Sequence, residues 1–147
     1  MQYKILHRII GTNVLLYKMK KIPQITCDFC GMYTETVEHL FFDCMISKNF
    51  WFELFGYLNK SMQTNIQITA YDVILRFKSE DKDVEIYVNR LCLYGKRYIQ
   101  ICKYRKVIPH INGFYNFCLE NLRYCKEIKE NSLSTFYDKI EELKNVR

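Results

Sequence analysis

Apolar residues recur along this chain at spacings of three and four, with no sustained alternation, so the pattern predicts helices and no sheet. Residues 2–10 and 13–20 read as two short helices broken at Gly11, the second capped by Thr12 or Asn13. Pro23 closes that element and 24–35 reads as a loop. Thr36 caps a short helix over 37–42, and a longer one follows over about 46–58. In that longer helix Ile46, Phe50, Trp51, Leu54, Phe55 and Leu58 form the stripe of a core-facing surface. Residues 59–67 are polar and aperiodic, and read as a linker between an N-terminal subdomain, 1–58, and a C-terminal one, 68–147.

Thr69 caps a helix that runs to about residue 77, and 78–83 is a charged turn. Asp83 opens the longest helix, ending near residue 104. At about 100° per residue, Val84, Tyr87, Val88, Leu91, Tyr94, Tyr98, Ile99, Ile101 and Cys102 share one side. Asn89, Arg90, Lys96, Arg97, Gln100 and Lys103 share the other. The expectation is one packed face and one exposed basic face. Pro109 marks the start of the next helix, to about residue 131, in which Ile111, Phe114, Phe117, Cys118, Leu122, Cys125 and Ile128 recur. A last helix runs from Ser134, with Phe136, Ile140 and Leu143 on one side. The expected fold is all-α: a small cysteine knuckle set among short helices, followed by a helical C-terminal bundle.

Composition narrows this further. In 147 residues, 49% are hydrophobic, enough for a core, and only 5 Gly and 2 Pro interrupt the chain. The longest uncharged stretch, 107–119, contains Pro109, His110 and two Asn, and is too short and polar to span a bilayer. The first residues have no apolar signal segment, so an intracellular protein, nuclear or cytoplasmic, is expected, with no membrane partner. The net charge of +6 is concentrated: residues 86–130 carry nine basic and three acidic groups. Such a segment suits a polyanionic partner, and it equally suits a solvated helix face.

Seven cysteines, an odd number without an export signal, argue against a disulfide framework. Cys92, Cys102, Cys118 and Cys125 lie in periodic apolar segments and read as buried core residues. The other three belong to the string Cys27-Asp28-Phe29-Cys30-Gly31, then Glu35-Thr36-Val37-Glu38-His39-Leu40-Phe41-Phe42-Asp43-Cys44. Its pattern is C-x2-C-x8-H-x4-C. A C-x2-C turn brings two thiolates to one edge of a tetrahedron, and Gly31 supplies the backbone angle such a turn needs. On a continuous α-helix His39 and Cys44 would sit about 140° apart, so the helix must stop near Asp43 for both to reach one ion. Three thiolates and an imidazole suit one structural Zn²⁺ held by Cys27, Cys30, His39 and Cys44. The alternatives are a Cys27–Cys30 redox pair, four unligated neighbours, or an open catalytic ion with Asp28 or Asp43 in place of a thiolate.

The same residues resemble a known family. Leu6-His7-Arg8, Thr12-Asn13 and Leu16-Tyr17-Lys18-Met19, then the Cys pair, Glu35-Thr36-Val37-Glu38-His39-Leu40-Phe41, Cys44 and Trp51 are similar to the zinc-binding domain that follows the reverse transcriptase in LINE-type, non-LTR retrotransposons. Residues 88–104 resemble the helical tail beyond that finger. The resemblance implies a C-terminal part of a retrotransposon polyprotein, with the four residues above as metal ligands and the reverse transcriptase body of the same polyprotein as a partner. It also implies that this region holds element RNA or target DNA while the polymerase copies at a nicked site.

Two functions follow. The first is a nucleic-acid-binding zinc module. Lys18, Lys20 and Lys21 enter the knuckle, with Lys4 and Arg8 close behind, while Lys96, Arg97 and Lys103, with Arg90 on the flank, give the long helix its basic stripe and Arg105 and Lys106 follow at its end. These would contact the phosphates of RNA or DNA, single-stranded in preference to duplex, and Tyr104 would stack on an unpaired base. The second is a zinc-stapled interaction module docking on a polymerase body, in which the many aromatics face a protein partner. No catalytic role is expected: there is no Asp-Asp polymerase motif, no endonuclease constellation, and neither His7 nor His110 has a partner at motif spacing.

Overall fold

The computed structural model describes residues 1–127 and 131–145, the side chains of 124–127 and 131–132 excepted. Among the described residues the fold is all-α, with an isolated antiparallel bridge between Thr26 and Thr34 and no strand. The helices are α1 (Gln2–Leu6), α2 (Asn13–Lys18), a π-helix (His39–Asp43), α3 (Met45–Met62), α4 (Ala70–Ile74), α5 (Lys82–Arg105), α6 (Ile111–Glu127) and α7 (Asn131–Asn145). The expected core positions Cys125 and Ile128 lie outside the described side chains. Cys92, Cys102 and Cys118 are buried.

The starts of α4, α5 and α6 carry side-chain caps, while at α1, α2 and α3 the N-cap residue makes none. Thr69 and Asp72 form a reciprocal capping box on α4. Asp81 Oδ1 accepts from the N–H groups of Asp83 and Val84 at 2.9 and 3.1 Å, so α5 starts one residue before Asp83. His110 Nδ1 accepts from Gly113 N at 3.1 Å over the first turn of α6. Helix ends differ more from expectation: α1 stops at Leu6 and α2 at Lys18, while α3 continues to Met62. Arg8, Lys20, Gln63 and Lys106, none of them glycine, turn the chain away with φ between 51° and 55°.

One apolar cluster runs from Ile5 to Leu143. Its centre is an aromatic triangle: Phe50 of α3, Tyr98 of α5 and Phe114 of α6 have ring centroids 5.4–5.8 Å apart. Phe136, Ile140 and Leu143 of α7 close it from the side of α6. The outer edge of the Trp51 ring packs against α5 where Gly95 leaves room. A Cβ there would meet Trp51 Cζ3 at 2.7 Å, closer than any real contact. Gly95→Ala should therefore destabilise the protein by about 1–3 kcal/mol through overpacking, despite the higher helix propensity of Ala. Denaturant unfolding followed by Trp51 emission checks this, and a more stable variant would contradict the packing.

The long helix α5 corrects the expected exposed basic face. Lys96 and Lys103 are only 2% and 4% exposed. The physical reason is that α5 is covered on more than its apolar side. α4 and the start of the chain close over Lys96, and the cysteine loop closes over Lys103. Lys96 Nζ donates to Val73 O at 2.7 Å and to Gln2 Oε1, while Gln2 Nε2 donates to Ile74 O and Leu75 O at 2.7 and 3.0 Å. Together they satisfy the orphan carbonyls at the end of α4. Burial pulls the Lys96 ammonium down to about 8. Asn89, on the same expected face, is tied to the backbone of Phe77 through both ends of its amide.

Candidate metal centre

The cysteine loop is a tight local fold. Cys27 N donates to Tyr33 O at 2.8 Å, Gly31 N to Cys27 O at 2.8 Å and Glu35 N to Ile25 O at 2.8 Å. Gly31 sits at φ 66°, the left-handed angle expected of it after the second Cys. Thr36 Oγ1 accepts from His39 N at 3.0 Å and so starts the next helical turn.

That turn is a π-helix, and this solves the spacing problem differently from the sequence expectation. Cys44 N donates to His39 O at 2.8 Å, an i→i+5 bond that joins the two donor-bearing residues directly. With one turn closing over five residues rather than four, positions 39 and 44 fall on the same side. The helix both widens and ends, Cys44 lying at the junction with α3. Ser47 Oγ donates to Leu40 O at 2.6 Å and Trp51 Nε1 to Phe41 O at 2.6 Å. These bonds satisfy two carbonyls of the irregular turn from inside the core.

The four donor atoms of Cys27, Cys30, His39 and Cys44 lie within 4.8 Å of one another. Cys27 Sγ is 3.9 Å from Cys44 Sγ, and Cys30 Sγ is 3.4 Å from His39 Nε2. Metal bonds of about 2.3 Å to sulfur and 2.0 Å to nitrogen imply tetrahedral edges of about 3.8 and 3.5 Å. The donor set therefore fits a four-coordinate, thiolate-rich ion. Asp28 is not among these donors, because its carboxylate is engaged by Lys103 and Asn13. Burial pushes the Cys27 thiol up to about 12, against the pull of the Cys30 and Phe29 backbone N–H groups. It raises Cys44 too, opposed by the N–H groups of Ile46 and Ser47 at the start of α3. At Cys30 burial also raises the thiol, but the N–H groups of Met32 and Tyr33, with His39, outweigh it and bring it to about 6. A cation at this centre would displace protons from the two buried thiols and hold the cluster together.

A buried polar network backs the knuckle. Glu35 is 0% exposed, and its Oε1 accepts from Lys103 Nζ at 2.7 Å and from Asn13 N at 2.8 Å. Its Oε2 accepts from Asp28 N at 3.1 Å. Lys103 Nζ also donates to Asn13 Oδ1 at 2.7 Å and pairs with Asp28. Asn13 Nδ2 reaches Thr26 O at 2.6 Å and Asp28 Oδ1 at 3.0 Å. The carboxylate of Glu35 thus caps α2, where Thr12 makes no side-chain bond, and the end of α5 is tied to the cysteine loop. Asn13 and Glu35 were not singled out as a pair by sequence reasoning, since 22 residues separate them and no local spacing couples them.

The remaining expected nucleic-acid contacts are scattered differently. Lys18, Lys20 and Lys21 are exposed at and beyond the end of α2. Arg97, Arg105 and Lys106 are exposed on α5 and just past it, and Tyr104 is 60% exposed with its hydroxyl beside Gly11. Arg90 packs its guanidinium 6.0 Å from the centroid of the Phe136 ring. Arg8 forms a two-bond pair with Glu38 at 2.5 and 3.1 Å. No helix among the described residues is long and apolar enough to cross a membrane.

No curated protein and no solved structure matches this chain. Residues 1–51, the segment that contains all four donors and ends at Trp51, match the family described as zinc-binding in reverse transcriptase.

Proposed function

We propose that this chain is a nucleic-acid-binding zinc module, the region beyond a non-LTR retrotransposon reverse transcriptase that holds element RNA or target DNA during target-primed reverse transcription. One structural Zn²⁺ bound by Cys27, Cys30, His39 and Cys44 shapes the knuckle, and the chain contributes no catalytic group of its own. The observation that carries the reading is the end of α5. There Tyr104, Arg105 and Lys106 are exposed, and the preceding residue, Lys103, fastens them to the cysteine loop through Glu35 and Asp28. Two exposed cations and an exposed aromatic ring held beside a metal knuckle suit a phosphate backbone with unpaired bases. The buried Lys96 and Lys103 have no part in that contact.

The test is binding of the zinc-loaded protein to a labelled single-stranded RNA across a salt series. With four phosphates neutralised, log K should fall against log salt with a slope of about −3. Exchanging Arg97, Arg105 and Lys106 for Gln should flatten the slope by about 2. Absence of binding at low salt to RNA, and to single-stranded and duplex DNA, would overturn the proposal.

A second reading has its own observation. Tyr3, Leu6 and Ile9 are 65%, 50% and 52% exposed at the start of the chain, and α1 touches α4, whose Tyr71 is 63% exposed. This apolar surface suits docking on a polymerase body. Binding that required such a body, with no affinity of the chain alone for nucleic acid, would favour it.

A further inference from the structure

A groove of about 540 Å³ lies between α3 and the segment after it, floored by the core residues Trp51 and Phe55. Its second wall is built, not incidental. Asn59 on α3 clamps the returning chain through Asn59 Nδ2 to Ile66 O at 2.9 Å, Ile66 N to Asn59 Oδ1 at 2.8 Å and Thr64 Oγ1 to Asn59 Oδ1 at 3.0 Å. Phe42, between the donors His39 and Cys44, lines the end nearest the metal centre. On the rim stands Phe52, which is 84% exposed, the most exposed large apolar side chain among the described residues.

The polar lining has one chemistry. It consists of Lys48 and the amides of Asn49, Asn59, Asn65 and Gln67, with no carboxylate. Among the described residues the side chains of Asn49, Asn65 and Gln67 make no hydrogen bond and Lys48 makes no ion pair, and all four are exposed, so their donors and acceptors are open to a ligand. The apolar face of a docked helix, its backbone groups already paired, would need none of these groups. A nucleobase needs both kinds: a ring face to stack on, amides that match its paired donors and acceptors, and a cation for the phosphate next to it. The groove volume falls in the range of small-ligand sites.

We propose that this groove seats an unpaired nucleobase of a single strand, stacked on Phe52, its edge read by Asn49, Asn65 and Gln67, with Lys48 on the adjoining phosphate. The proposal rests on the nucleic-acid reading above and adds to it a site built from other residues than the end of α5. Trp51, the only tryptophan in the chain, also lines the groove and reports its occupation.

The experiment titrates the zinc-loaded full chain with a mixed-sequence 12-nucleotide single-stranded RNA and with its duplex, reading anisotropy and Trp51 emission. The single strand should change Trp51 emission and the duplex should not. Phe52→Ala should weaken single-strand binding about tenfold. Because Phe52 is exposed, circular dichroism of that variant should match wild type. Lys48→Gln should reduce the salt slope by about 0.7. Salt-dependent RNA binding with unchanged affinity in Phe52→Ala and no Trp51 response would place the strand elsewhere, overturning the groove but not the wider reading. Self-association of the wild type that is lost in Phe52→Ala, with RNA affinity unaltered, would assign the groove to a protein contact and overturn it as well. Failure of every strand to bind would overturn both.

Discussion

Removing the metal with a strong chelator should unfold the N-terminal part of the molecule through α3. Between residues 24 and 36 Cys27 is the one buried apolar side chain, so that stretch is held by its donors and by Glu35. Cys27 and Cys44, 1% and 0% exposed, are themselves part of the packing. Without a cation the two thiols stay protonated by burial, and the cluster loses the bonds that close it. The π-turn between His39 and Cys44 would then revert towards ordinary helical geometry, which drives the two positions apart. Trp51 would lose its bond to Phe41 O, and with it the register of α3 against Gly95. Structural zinc sites of this kind are worth on the order of 10 kcal/mol at neutral pH, comparable to the whole stability of a domain. Chelation should therefore red-shift Trp51 emission, reduce helicity and expose the amides of residues 37–62 to exchange. Cys44→Ser should do the same with metal present. Unchanged emission and unchanged exchange after chelation would show that the four residues are neighbours and not ligands.

Lys103→Met should cost about 3–5 kcal/mol, although a lysine on a helix in a basic segment is ordinarily a surface residue. Lys103 is buried opposite Glu35, and removing the ammonium leaves a fully buried carboxylate without its countercharge. The double variant Lys103→Met/Glu35→Leu should recover only part of the loss. Glu35 also accepts from the N–H groups of Asn13 and Asp28, and those donors would be left unsatisfied. Arg97→Met, on the exposed side of the same helix, should fall within about 0.5 kcal/mol of wild type. Urea unfolding of the four proteins gives the comparison. A Lys103→Met variant within 1 kcal/mol of wild type would refute the network as a structural tie. Because the network anchors the loop at Asp28 and Glu35, the same variant should bind zinc more weakly in competition with a chromogenic chelator.

The donor cluster was readable because its information is local. Cys27 and Cys30 share one turn, Gly31 marks the backbone angle, and His39 and Cys44 lie five residues apart, so spacing marks the four as candidate donors to one ion once the helix between them is not a regular one. The π-turn was not readable: an offset of five residues fits an interrupted α-helix as well as a widened one. Beside the donors themselves, widening is favoured from outside the turn, by Ser47 and Trp51 on the next helix bonding the carbonyls of Leu40 and Phe41 from inside the core. Helix ends were misplaced for a related reason. The rule that a glycine follows a helix finds no glycine at Arg8, Lys20, Gln63 or Lys106, where ordinary side chains take the left-handed angle.

Periodicity also assigned the apolar side of α5 well, since Tyr87, Val88, Leu91, Tyr98, Ile99 and Cys102 are all buried. It failed on the opposite side because a helical wheel records which face is polar, not whether that face meets water. Lys96 and Lys103 are polar and buried, their charges met by Gln2 and Val73 in one case and by Glu35, Asp28 and Asn13 in the other. Those partners lie 23 to 94 residues away along the chain. The helices, the four donors and the zinc-type chemistry thus follow from short-range spacing. Which cations remain on the surface follows from contacts between distant segments that no local pattern encodes.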